Sequence, residues 1–127
     1  MVIRYSRQTI DNLDIQNVCK TLSSDWLTTG PNIKIFEDNI CKVVSAKHGV
    51  AVNSATSALH IACKALGLKA GDKLWTSSNS FIASANCGLY CGATIDLVDI
   101  NLDTHNISLH KLEEKLIKSK KKNLPKF

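Results

Sequence analysis

The chain has 127 residues, of which 44% are hydrophobic and 21% charged, proportions that indicate a folded globular protein rather than a disordered one. No apolar run approaches the ~20 residues of a membrane-spanning helix, and the N-terminus lacks the apolar core of a signal peptide, so we expect a cytoplasmic protein without a membrane partner. The net charge of +5 resides in residues 111–127, whose seven lysines and two glutamates predict a solvated helix end and no nucleic-acid partner, because lysines suit the negative end of a helix dipole.

The first predicted elements are two helices joined by a loop. Residues 11–23 carry apolar side chains at a helical period, and Asp11 is a suitable N-cap for them. Residues 25–31 break this pattern and predict a loop. Pro31 favours the first turn of a second helix, which we expect to end near Val44.

Strands and helices alternate through the rest of the chain. We predict strands at residues 48–53, 73–77 and 94–100, and helices at residues 55–66, 81–90 and 108–118. This alternation indicates βαβ units, so the predicted fold class is α/β, with a mainly parallel sheet and flanking helices. Ligands of such sheets bind beyond the carboxyl ends of the strands. Residues 123–127 resemble the lead-in to a further strand, so we expect a truncated part of a longer protein.

Five cysteines are distributed along the chain. None forms a Cys-x-x-Cys pair. Cys87 and Cys91 would share a helix face, but no histidine lies at ligand spacing from them. We therefore predict small buried thiols in a reducing compartment and no metal site.

Residues 53–59, with the sequence NSATSAL, join a predicted strand to a predicted helix. The first N–H groups of a helix lack intrahelical partners, and the helix dipole favours an anion there. The hydroxyls of Ser54, Thr56 and Ser57 could add hydrogen bonds to that anion. The segment therefore fits a phosphate site, and it also fits a plain N-cap, since Asn and Ser are preferred capping residues.

Several segments taken together resemble one known family. They are LTTGP at 27–31 with Phe36 and Glu37, VNSATSAL at 52–59, ALGLKAGD at 65–72, SFIASAN at 80–86, and GAT at 92–94 with VDI at 98–100. Their order and spacing are similar to those of the DegT/DnrJ/EryC1 sugar aminotransferases, although many relatives have Gly-Thr in place of Ala55-Thr56. Residues 53–59 and 85–93 most resemble the pseudaminic-acid branch, which aminates C4 of a UDP-4-keto-6-deoxy-N-acetylhexosamine with glutamate as the amino donor.

The resemblance implies the N-terminal part of a fold type I transferase that depends on pyridoxal 5′-phosphate (PLP) and acts as a homodimer. Residues 1–127 would belong to its large domain, with 1–47 as helices and substrate loop and 48–127 as βαβ units. The amides of Ala55 and Thr56 and the Thr56 hydroxyl would bind the cofactor phosphate, and Phe81 would lie against the pyridine ring. The residues implied in binding the nucleotide sugar are Tyr5, Asp25, Trp26, Leu27, Thr28 and Ala55.

The resemblance also implies that this chain is catalytically incomplete. Transamination needs a lysine that forms a Schiff base with PLP and an acidic partner for the pyridine nitrogen. In the family both follow well after the matched region, so we expect no catalytic residue in this chain. Two alternatives to an aminotransferase remain open: a related PLP-dependent sugar dehydratase, in which a histidine replaces the lysine, and a non-catalytic nucleotide-binding or regulatory protein.

Overall fold

Two helices, α1 (Asn12–Leu22) and α2 (Pro31–Val44), form the regular structure of the N-terminal part of the chain. The computed structural model describes residue 3 and residues 6–121. These residues divide into two compact units, with the boundary between Ala51 and Val52. Both helices were predicted within one residue of these bounds, and both are confirmed.

Local chemistry explains where α1 and α2 begin. The Asp11 carboxylate accepts hydrogen bonds from the N–H groups of Leu13 (2.8 Å) and Asp14 (3.1 Å), and the Asp14 carboxylate accepts one from the Asp11 N–H (3.0 Å). This reciprocal capping box satisfies N–H groups that a helix start otherwise leaves open. Pro31 occupies the first turn of α2, where its missing N–H removes no helical hydrogen bond.

The strand predicted at residues 48–53 was wrong, because these residues pair with no strand in the described part of the chain. The Ala51 N–H donates instead to the Glu37 carboxylate (2.8 Å). Gly49 lies against α2, since a Cβ on it would be 3.0 Å from Cys41 Sγ and 3.3 Å from Glu37 O. The apolar run therefore packs beside a helix, whereas a strand requires a neighbour for its backbone ladder.

The second unit consists of α3 (Ala55–Ala65), β1 (Lys73–Ser77), α4 (Ala83–Tyr90), β2 (Thr94–Val98) and α5 (Leu109–Lys121). The two strands are parallel, with Lys73 opposite Thr94 and Ser77 opposite Val98. The predicted α/β class with a parallel sheet is confirmed, although the described sheet has two strands where we predicted three. None of the helices in the described part of the chain has the length and apolar character needed to cross a membrane.

α5 continues to Lys121, three residues past its predicted end, and two other elements are shorter than predicted. α4 begins at Ala83 rather than at residue 81, and its N-cap Ile82 makes no side-chain capping hydrogen bond. The second strand ends at Val98, and Ile100 instead forms an isolated antiparallel bridge with Ile107. In both places the apolar residues continue past the point where the regular backbone begins or ends. Periodicity alone therefore predicts too great a length for the element.

The core of the second unit is small and forms where α4 packs against the sheet and α3 packs against α4. A glycine allows this approach: a Cβ on Gly88 would be 2.5 Å from Ile95 Cδ1 and 3.1 Å from Leu74 Cβ. A side chain at position 88 would displace the end of the Ile95 side chain and press on Leu74, so glycine suits this close packing. The buried apolar residues are Leu68, Ala83, Cys87, Cys91, Ala93 and Val98.

Lys115 attaches α5 to the sheet. Its ammonium nitrogen lies 2.7 Å from Asp96 Oδ1 and 2.6 Å from Leu97 O, and it stands 5.4 Å from the centre of the Trp75 ring. The Lys115 side chain is only 22% exposed. An ion pair, a hydrogen bond to a backbone carbonyl and a cation–π contact therefore act on one partly buried charge.

The thiols match their prediction in part, and Cys41 on α2 is half-buried like Cys63 on α3. Cys87 and Cys91 are buried and Cys63 is half-buried, whereas Cys19 on α1 is exposed. Burial, together with a hydrogen bond to the Cys87 thiol, raises the pKa of Cys63 to about 11. Cys63 is therefore a protonated packing group at neutral pH.

Candidate functional site

The carboxyl ends of β1 and β2 lie together at one edge of the sheet. Ser77 and Val98 are the paired last residues of the two strands, and the Ser78 N–H donates to Val98 O (2.9 Å). Residues 78–82 lead from this edge into α4. Phe81 lies within that connection, in the region where parallel α/β sheets bind ligands.

Ser54 caps the start of α3. Its backbone is extended (φ −161°, ψ 154°), and its Oγ accepts a hydrogen bond from the Ser57 N–H (3.2 Å). The plain N-cap predicted from the sequence is thus present. A cap and an anion site do not exclude each other, because a single cap satisfies only part of the open N–H groups of a helix start.

Ser54 and Ser57 use their hydroxyls within this turn. The Ser57 Oγ donates to Asn53 Oδ1 (2.8 Å), and the two serine oxygens are 3.0 Å apart. In this arrangement the two hydroxyls contact each other and Asn53, and their part in binding an anion stays a prediction. Asn and Ser were both predicted as capping residues; Ser54 is the N-cap, and Asn53, one residue before it, accepts a hydrogen bond from the Ser57 hydroxyl.

Three donors at the start of α3 stay open. The N–H groups of Ala55 and Thr56 and the Thr56 hydroxyl have no acceptor among the described residues. We call these three donors the phosphate cradle. They combine with the positive end of the α3 dipole, and together they suit a dianionic phosphate, which accepts hydrogen bonds only.

Phe81 is 75% exposed and does not belong to the core of its own unit. Its carbonyl accepts a hydrogen bond from the Ser84 N–H (2.9 Å), which holds the backbone in a turn just before α4. α4 in turn packs against α3, the helix that carries the phosphate cradle. An exposed aromatic ring in this connection is available to a planar ligand, so its stacking role stays a prediction.

The loop residues predicted to bind the nucleotide sugar lie in the first unit. Trp26 and Leu27 are 61% and 65% exposed, and the Trp26 N–H donates to Ser24 Oγ (3.3 Å). A Cβ on Gly30 would be 2.8 Å from the Trp26 Cβ, so glycine there lets the tryptophan lie against the start of α2. Of the remaining sugar-binding predictions, Asp25 and Thr28 share this loop, and Tyr5 lies outside the described residues.

His60 on α3 has a packing role in the structure. Its ring meets the edge of Tyr90 with the ring centres 5.3 Å apart, which joins α3 to the end of α4. Within residues 6–121, no three or more His, Cys, Asp or Glu side chains are grouped so that they could hold a metal ion.

Comparison with family models matches residues 8–125 to the DegT/DnrJ/EryC1/StrS aminotransferase family. Among curated proteins, the UDP-4-amino-4,6-dideoxy-N-acetyl-beta-L-altrosamine transaminase of Campylobacter jejuni (strain 81-176) is 42% identical over 118 residues, which are 93% of this chain. The spore coat polysaccharide biosynthesis protein SpsC of Bacillus subtilis is 45% identical over 109 residues, or 86% of the chain. This chain spans 31% and 28% of the lengths of these two relatives.

Solved structures agree with the sequence comparisons. Spr1654 from Streptococcus pneumoniae, in its PLP-form, superposes with a TM-score of 0.83 at 33% identity, covering 88% of this chain and 29% of its own. Helicobacter pylori PseC, an aminotransferase involved in the biosynthesis of pseudoaminic acid, gives a TM-score of 0.81 at 34% identity, covering 87% of this chain and 30% of its own. The described fold thus matches a part of fold type I aminotransferases.

Proposed function

The chain belongs to the DegT/DnrJ/EryC1/StrS aminotransferase family, and from that membership we propose that its protein is a PLP-dependent sugar aminotransferase. The amino group goes from glutamate to the 4-keto group of a UDP-4-keto-6-deoxy-N-acetylhexosamine, in the biosynthesis of a pseudaminic-acid type of sugar. The name of the Campylobacter relative supports this substrate class. The observation that carries the proposal is the phosphate cradle: two open amides and one open hydroxyl at the start of α3.

The phosphate cradle fits the cofactor of the family. In the proposal, the N–H groups of Ala55 and Thr56 and the Thr56 hydroxyl donate to the phosphate oxygens of PLP. PLP supplies the electron sink that amino-group transfer requires. The three donors belong to one helical turn, and the α3 dipole adds to their attraction for a dianion.

Phe81 and the loop of the first unit have further proposed roles, each argued from its own unit. The exposed Phe81 ring lies against the pyridine ring, a contact that contributes about 1 kcal/mol beyond burial. The nucleotide sugar is bound by Tyr5, Asp25, Trp26, Leu27, Thr28 and Ala55. Residues 1–47 and 48–127 act as parts of one large domain, in a cytoplasmic homodimer.

The activity is tested with the full-length protein, the proposed keto sugar nucleotide and L-glutamate. We expect an amino sugar nucleotide and an equal amount of 2-oxoglutarate, measured by mass spectrometry and a coupled dehydrogenase assay. A deoxygenated sugar without a new amine would identify the dehydratase alternative. Absence of any product together with absence of PLP binding would contradict the proposal.

The role of Phe81 is tested separately by its replacement with alanine. Loss of about 1 kcal/mol of stacking predicts an approximately fivefold weaker PLP affinity in Phe81→Ala, measured by cofactor fluorescence. The melting temperature should change little, because Phe81 is 75% exposed. Phe36→Ala, which removes the same ring from the first unit, is the matched control, and unchanged affinity in Phe81→Ala would count against stacking.

A further inference from the structure

Trp26 packs directly against Gly30 in the loop that joins α1 to α2. A Cβ on Gly30 would be 2.8 Å from Trp26 Cβ, 3.4 Å from Trp26 O and 3.7 Å from Trp26 Cγ. The first of these distances is too short for two carbon atoms. Turning the indole cannot relieve this contact, because rotation about the Cα–Cβ bond leaves Cβ where it is. A side chain at position 30 would therefore shift the backbone of residue 26 or of residue 30.

The backbone of Gly30 does not itself require glycine. Its φ of −77° and ψ of 180° lie in the extended region that residues before a proline normally adopt. Gly30 is also the N-cap of α2 and makes no side-chain capping bond, although Ser, Asp and Asn are the preferred caps. The space that Trp26 occupies is therefore the feature that accounts for glycine at this position.

Other contacts hold the same loop in one conformation. Thr29 has a φ of 49°, a left-handed conformation that is strained for a β-branched residue and persists only where its surroundings impose it. At the base of the loop, Asn32 Nδ2 donates to Thr21 Oγ1 (2.9 Å), which joins the end of α1 to the start of α2. The Trp26 N–H donates to Ser24 Oγ (3.3 Å). The backbone of Trp26 is thus fixed, while the residue remains 61% exposed to a ligand.

We propose that Gly30 is a positioning residue for nucleotide-sugar binding: because position 30 has no side chain, Trp26 is already in place when the ligand arrives. This inference rests on the proposed function, since it assumes that Trp26 binds the nucleotide sugar. Gly30 has no side chain with which to touch that ligand. A preformed contact gives a higher affinity than one that must first order a loop. The effect of Gly30 therefore passes through Trp26 and concerns the sugar nucleotide, not glutamate.

The test measures kcat/KM for the keto sugar nucleotide and for L-glutamate in the full-length protein. In Gly30→Ala we expect kcat/KM for the sugar nucleotide to fall about tenfold, the size of effect that one added methyl group causes at a close contact. The value for glutamate should change less than about twofold. Trp26→Gly removes the Cβ that the new methyl group would meet. Adding Gly30→Ala to Trp26→Gly should therefore cause no further loss.

Gly49→Ala is the matched control in the same unit. A Cβ there would be 3.0 Å from Cys41 Sγ and 3.3 Å from Glu37 O, so this variant crowds α2 at a different place. It should lower the melting temperature and leave the ratio of the two kcat/KM values unchanged. Gly30→Ser separates spacing from capping, because serine is a good N-cap and carries the same Cβ. It should lose as much activity toward the sugar nucleotide as Gly30→Ala.

The outcomes separate this inference from the proposed function. An unchanged kcat/KM in Gly30→Ala, equal losses for both substrates, wild-type values in Gly30→Ser, or a further loss in the double variant would overturn the positioning role alone. An unchanged value in Trp26→Gly would remove Trp26 from the sugar site, and the role of Gly30 with it. A full-length wild-type protein that does not convert the keto sugar nucleotide would overturn the proposed function and this inference together.

Discussion

The two compact units have equally regular helices but differ in what those helices bury. No described residue of the first unit is buried, and Val43 on α2 is 81% exposed. In the second unit Val98 is only 2% exposed, and α4 packs against both strands. A capping box and a proline start α1 and α2 without help from a core. The comparison teaches that helix boundaries follow local signals, whereas burial in this chain follows the sheet.

The largest difference between the units should be seen in the reactivity of their thiols. Burial and the Cys87 thiol raise the pKa of Cys63 to about 11, so its thiolate fraction at pH 8 is about 100-fold below that of an ordinary cysteine. Iodoacetamide labelling followed by mass spectrometry should modify the exposed Cys19 rapidly and Cys63 slowly. Equal labelling rates for Cys19 and Cys63 would contradict this difference between the two units.

The same raised pKa predicts how stability depends on pH. The folded state holds the Cys63 proton more tightly than the unfolded chain, whose thiol has the ordinary value of 9.0. This contribution is fully present below pH 9 and is lost as the pH rises through about 11. Denaturant unfolding of wild type and Cys63→Ala over this range measures it, and a wild-type stability that rises between pH 9 and 11 relative to the variant would contradict the assignment.

A pair of valines tests burial directly. Val98→Ala removes two methyl groups from the core and should lower the free energy of unfolding by about 2 kcal/mol. Val43→Ala makes the same chemical change at an 81% exposed position and should cost less than about 0.5 kcal/mol. Urea denaturation of the two variants checks both values. Equal costs would mean that α2 is covered by something outside the described residues.

Two lysines provide a smaller contrast. Lys115 contacts Asp96, Leu97 O and the Trp75 ring, so Lys115→Met should cost about 1.5 kcal/mol of stability through the lost charged hydrogen bonds. Lys34 forms an ion pair with Asp38 on α2, but both side chains are largely exposed, and Lys34→Met should produce no measurable change. Thermal unfolding in low and high salt distinguishes the two pairs, and a larger loss at Lys34 would contradict this ranking.

Much of the fold could be predicted from local sequence signals. Asp11, Pro31 and the apolar periods located the helices and β1 closely. The strand at residues 48–53 could not be rejected in this way, because a short apolar run also fits packing against a helix, and only the bond from Ala51 to Glu37 decides the matter. A segment forms a strand only when a neighbouring strand accepts its backbone hydrogen bonds, and the periodicity of a sequence does not reveal that neighbour.

The location of the candidate site was predictable from the sequence, but its side-chain hydrogen bonds were not. The run at residues 53–59 indicated a helix start with open donors, and the family resemblance selected Ala55 and Thr56. The sequence did not indicate that the Ser57 hydroxyl donates to Asn53 and lies 3.0 Å from the Ser54 oxygen, because hydroxyl orientation depends on rotamers and on neighbours in space. The phosphate cradle is defined with the Thr56 hydroxyl alone, because the other two hydroxyls contact each other and Asn53.

In the proposed function, the start of α3 binds the phosphate of PLP while the start of α1 does not. The most direct test is a titration of the full-length protein, selectively labelled with 15N, in which the backbone amide signals are followed by NMR as PLP is added. We predict that the Ala55 and Thr56 amides shift most, because their N–H groups are open, and that the Leu13 and Asp14 amides, which donate to Asp11, stay unchanged. Binding of PLP without any shift at Ala55 and Thr56 would contradict the account.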